Sequence, residues 1–197
     1  MQKRSHKLLA ASLLHAHQGF GPRRYEWAFL FGSFQPDCNP LTYLRGICST
    51  RRPQGHNFAS TRLYIGRCVE KLQRRSHWGI WHYYTLGKLT HYLADAFTYP
   101  HNDAYPDTLL DHRRYETALR LSLMTHLSTH KLSPKPYCHD LTDAIDRLHR
   151  QYQSARSSIQ RDIRYILEAN SLLMAGCRPR PFASGDFIHS PQIFFQF

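Results

Sequence analysis

A chain of 197 residues with 42% hydrophobic and 13% aromatic content has material for one sizeable core, which argues against both disorder and a division into two ordinary domains. The formal charge of +12 and the pI near 9.8 point to an anionic partner, whether nucleic acid, a phospholipid surface or a phosphate-bearing substrate. The five cysteines, odd in number and without a CxxC pair, argue against a disulfide framework and a thiolate zinc site, and suit a reducing compartment.

Apolar residues at three-to-four spacing predict helices over 4–18, 25–33, 57–74, 78–97, 110–130 and 141–175, the last broken near Ser154 to Ser158. No alternating strand is visible. The expectation is therefore an all-α single-domain helical bundle over 1–177, followed by an irregular tail over 178–197 that carries no chemistry. The opening KRSHKLLAASLLHAH imitates a signal peptide, but its apolar run is only about seven residues and histidines follow it. No run approaches the roughly 20 apolar residues that cross a bilayer. A cytoplasmic protein, at most peripheral to a membrane, is expected, and no obligate protein partner is evident.

The chemistry concentrates between residues 91 and 116, which hold five of the 14 acids (Asp95, Asp103, Asp107, Asp111, Glu116) against two arginines, Arg113 and Arg114. An acidic pocket in a basic protein suits a cation site approached by an anionic ligand, and equally suits a solvated acidic loop. Residues four apart share a helix face, so His91 pairs with Asp95, and His112 with Glu116. His101 follows Pro100 in the connection, where it can turn toward either pair. Imidazole and carboxylate are ligands that zinc accepts. Chance alone supplies roughly 0.7 His-xxx-Asp pairs at this composition, so spacing does not decide. His139 and Asp143 repeat that spacing in a charged segment, where capping or exposure explains them. His91 and Asp95 instead lie among Leu86, Leu89, Leu93, Ala94, Ala96 and Phe97. Burying an ionised Asp there costs several kcal/mol unless it is paired or metal-bound, which leaves a His–Asp hydrogen bond and a metal site level.

GKLTHYLADAFTYPHN, followed by DHRRYETAL, resembles the signature of the zinc-dependent phospholipase C family, which pairs an LxxxxHYLxD helix with a PxH loop and an HxxYE helix. Upstream, SHKLLAASL, GSFQPDCNP and GHNF resemble that family's first helix, its aspartate-bearing loop and its next histidine element, in the family's order up to about residue 120. The resemblance implies a helical bundle of this type holding two or three zinc ions. By that carry-over Asp37, His56, His91 and Asp95 hold one ion, His101, His112 and Glu116 a second, and His6 with bridging Asp95 the third. In the family's secreted members an N-terminal tryptophan adds its amine and carbonyl at the third ion, whereas here Met1 stands five residues before His6. Tyr43, Phe58 and Tyr99 lie beside these ligands as pocket candidates, and Asp37 is the candidate general base.

Zinc lowers the pKa of bound water toward about 7 and takes up charge on a phosphoryl group, so the implied reaction is phosphodiester hydrolysis, releasing diacylglycerol and a phosphorylated head group from a phospholipid. The trinuclear-zinc single-strand nucleases resemble the same fold and ligand set, and the basic balance suits nucleic acid as an alternative substrate. From another class, a non-catalytic basic binder of RNA or anionic membrane would use Arg23, Arg24, Arg51, Arg52, Arg74 and Arg75 but leaves the ligand series unexplained. Among the other histidines, His77 and His82 are expected to pack or to start a helix, while His15, His17, His149 and His189 are expected at the surface.

Overall fold

The computed structural model describes residues 1–38, 58–102 and 109–179. Among them are seven α-helices and no strand: α1 (Lys3–Ala16), α2 (Arg23–Phe34), α3 (Phe58–Gln73), α4 (Ile80–Ala96), α5 (Leu109–Thr129), α6 (Leu141–Ser154) and α7 (Ile159–Gly176). Two short 3-10 turns, Gln35–Cys38 and Tyr99–His101, follow α2 and α4. The break expected near Ser154 to Ser158 separates α6 from α7, and Ser158 caps α7 by accepting the Arg161 N–H through its hydroxyl at 3.1 Å. No described helix is long and apolar enough to cross a membrane.

Helix α4 is the axis of the bundle, packed by α1, α2, α3 and α7. Its apolar circumference is the reason: Leu86, Leu89, Leu93, Ala94 and Ala96 are all buried and need neighbours on every side. The expected start at residue 78 moves to Ile80, because Gly79 is extended and donates its N–H to His82 Nδ1 at 3.0 Å. That bond makes His82 a helix-start residue.

Two glycines let α2 and α4 cross almost backbone to backbone. A Cβ on Gly87 would lie 2.1 Å from the Phe29 carbonyl oxygen, and one on Gly32 would lie 2.2 Å from that of Tyr84. Only glycine permits this approach.

One surface expectation is corrected. His149 is buried, with its ring stacked 3.8 Å from that of Phe58 and edge-on to that of Phe97 at 5.4 Å. It lies four residues after Ile145 and three before Tyr152, on the inward stripe of α6, so helical spacing outweighs its basic neighbours in sequence. His139 and Asp143 are exposed.

Candidate metal centre

Residues far apart in sequence meet where α1, the end of α4 and α5 converge. His6 from α1 and His91 from α4 stack with ring centroids 3.8 Å apart and an interplanar angle of 22°. Their Nε2 atoms approach opposite oxygens of Asp95, each at 3.2 Å. One ligand atom from each of His6, His91 and Asp95 lies within 4.8 Å of the others. A second group, His101, His112 and Glu116, meets the same limit. In it Glu116 Oε1 lies 3.2 Å from His112 Nε2 and 3.5 Å from His101 Nε2. Asp95 Oδ1, 4.0 Å from His101 Nε2, links the two groups.

Asp37 sits at the edge, brought in by the 3-10 turn that continues α2. Its carboxylate lies 3.7 Å from His91 Nε2 and 3.9 Å from His6 Nε2. The Met1 amine reaches the centre, 2.7 Å from Asp95 Oδ1, 3.1 Å from Glu116 Oε1 and 2.8 Å from His101 Nε2. Its ammonium offsets the charge of both carboxylates, and a deprotonated amine offers a nitrogen ligand.

Electrostatics follow from crowding these groups in the interior. Burial, with His91 alongside, lowers the His6 pKa to about 3, leaving the imidazole neutral as metal ligation requires. Burial alone would raise the Asp95 carboxyl, but the Met1 ammonium and the surrounding histidines hold it well below the usual range. Glu116 is likewise pushed down against burial by hydrogen bonds from His101 and His112. Asp37 moves the other way, raised chiefly by burial.

The fit to a cation can be tested on unmet polar atoms. Both ring nitrogens of His6 and Asp37 Oδ2 are buried without a hydrogen-bond partner, a costly state that ligation to a shared cation relieves. His91 is already oriented as a ligand, since its Nδ1–H donates to the Ser33 carbonyl at 3.0 Å and leaves Nε2 to face Asp95. That bond depends on the glycine crossing of α2 and α4. Nitrogen and carboxylate donors suit zinc.

The other sequence candidates are placed as follows. Tyr43 and His56 lie outside the described residues. Phe58 stacks on His149. Tyr99 donates its backbone N–H to Asp162 Oδ2 at 2.7 Å. His126 and His130 stack on each other at 4.5 Å, outside both groups.

Asp162 was not anticipated from sequence. Fully buried on α7, it also accepts from the Tyr115 hydroxyl at 2.9 Å, from the Tyr152 hydroxyl at 2.9 Å and from Arg161 at 3.0 Å. It thereby ties the His101 turn, through Tyr99, to the α5 turn that carries Glu116. The signal was available in IQRDIRYIL, an acid on the buried stripe of an apolar helix, which is the argument applied to Asp95.

The sequence pattern of the family described as zinc dependent phospholipase C matches residues 5–159. No curated protein and no solved structure matches the chain. The match spans most of the chain and takes in every residue of both ligand groups, and the chain belongs to the zinc dependent phospholipase C family.

Proposed function

We propose that this chain is a zinc-dependent phosphodiester hydrolase that cleaves a phospholipid to diacylglycerol and a phosphorylated head group. The observation that carries this reading is the pair of ligand groups joined through Asp95, with buried nitrogens on His6 that meet no hydrogen-bond partner. His6, His91 and Asp95 would hold one ion and His101, His112 and Glu116 another, with Asp37 and His56 as further ligands and a third ion as the family resemblance implies.

Zinc supplies Lewis acidity and a water of lowered pKa, about 7 in such sites. The protein's own residues do the rest. Asp95, held anionic and nearly inaccessible, fixes the two groups at one separation. Asp37 is the proton acceptor, because its carboxylate stands at the edge of the two groups, 3.7 Å from His91 Nε2 and 3.9 Å from His6 Nε2. The core around α4 excludes water from behind the ligands.

The net charge of +12 favours a second reading, a single-strand nuclease using the same ligands. Comparing hydrolysis of phosphatidylcholine with that of single-stranded DNA, with and without zinc, divides the two. Under the first reading phosphorylated head group is released, and His91→Ala and Asp95→Asn abolish the release.

A further inference from the structure

Helices α2 and α4 present a run of aromatic rings that the core does not use. Trp81 packs edge-on to Tyr84 at 5.8 Å, Tyr84 stacks on Phe31 at 6.0 Å, and Phe31 meets Phe34 at 5.5 Å. Trp27 lies one helical turn before Phe31 on the same face of α2. Trp81 is 74% exposed, Trp27 71% and Phe31 51%. A soluble surface gains nothing from two bare tryptophans and a phenylalanine, so their exposure marks a contact face.

Lysines border this face. Lys3 and Lys7 place their ammonium groups 5.1 and 4.3 Å from the Phe34 ring, and Lys88 lies 5.9 Å from that of Tyr84. Helices α1, α2 and α4 also carry Arg4, Arg23 and Arg24. Their only acids are Glu26, which accepts the Phe20 N–H at 3.3 Å, and the buried Asp95. The face is therefore aromatic in its middle and cationic at its margin. It ends at Phe34, three residues before Asp37 at the edge of the ligand groups.

We infer that this face docks the protein on the surface of an anionic phospholipid bilayer, with Trp27, Phe31 and Trp81 seated among the head groups and Lys3 and Lys7 paired with lipid phosphates. Tryptophan is the side chain most suited to the boundary between head groups and acyl chains, and each lysine near such a surface adds to binding. A single-stranded nucleic acid also uses rings and cations, but the exposed Ile80 beside Trp81 offers nothing to base stacking and does favour acyl chains. The inference rests on the phospholipase reading only for its purpose, since binding requires no catalysis.

The test is flotation of the full chain, freed of metal by a chelator, with vesicles of phosphatidylcholine alone or mixed with phosphatidylserine. Expected is co-flotation with the mixed vesicles, and a loss of about tenfold or more in partition on Trp27→Ala with Trp81→Ala, and separately on Lys3→Glu with Lys7→Glu. All four side chains are exposed, and circular dichroism confirms that each variant is folded. The tryptophan variant should keep wild-type zinc-dependent hydrolysis of a soluble short-chain phosphodiester while losing hydrolysis of vesicle lipid. Flotation unchanged in both folded variants overturns the docking face. So does displacement of bound protein by single-stranded RNA with loss of RNA binding in the same variants. A chain that hydrolyses no phosphodiester yet floats through these residues removes the phospholipase reading and leaves the docking face standing.

Discussion

His6 and His91 stack 3.8 Å apart and divide the two oxygens of Asp95 between them at 3.2 Å each. Both ring nitrogens of His6 are buried without a hydrogen-bond partner, a state that a shared cation relieves. His6→Ala should therefore lower zinc content by one ion per chain while leaving the His101, His112 and Glu116 group loaded. Elemental analysis of reconstituted protein reads the difference, and wild-type zinc content in His6→Ala removes the first ion.

The approach of α2 to α4 sets the position of the Ser33 carbonyl that orients His91. Gly87→Ala forces a Cβ against the Phe29 carbonyl and should cost about 1–3 kcal/mol of stability. It should also weaken zinc binding, because His91 loses its orienting acceptor. Thermal unfolding and zinc competition with a chelator measure the two effects. A stable variant with unchanged zinc affinity contradicts the link between crossing and site.

Asp162 touches neither ligand group, yet it joins Tyr99 before His101 to Tyr115 before Glu116. Asp162→Asn should destabilise the fold by about 1–3 kcal/mol and weaken the second ion more than the first. Tyr115→Phe should show the same selectivity with a smaller loss of stability. Zinc titration resolved into its two steps checks this, and equal weakening of both steps assigns Asp162 to stability alone.

Much of this fold was legible in advance because helices announce themselves through apolar spacing, and the break expected near Ser154 to Ser158 falls between α6 and α7. The ligand pairs were visible for the same reason, as residues one turn apart. What the sequence could not display were partners joined only by folding: the Ser33 carbonyl behind His91, the Met1 amine beside Asp95 and the reach of Asp162 to Tyr99. His149 was misplaced because its charged neighbours outweighed a spacing that puts it inside.

His149 also predicts a pH dependence. Burial lowers its pKa to about 4, against an ordinary value of 6.5, so below pH 6.5 the unfolded chain binds a proton that the folded chain refuses. Its contribution to stability is complete above pH 6.5 and is lost progressively as pH falls toward 4. Measured on metal-free protein, His149→Gln should remove up to about 3 kcal/mol of the wild-type loss between these limits. Parallel stability curves for the two proteins contradict the assignment.

The central claim is that zinc held by the two joined groups drives phosphodiester hydrolysis. It is tested most directly by following phosphocholine release from phosphatidylcholine as zinc is added back to metal-free protein, for wild type and for Asp95→Asn. The prediction is release that rises with bound zinc in the wild type and is absent in the variant. Release that needs no zinc, or that survives Asp95→Asn, would contradict it.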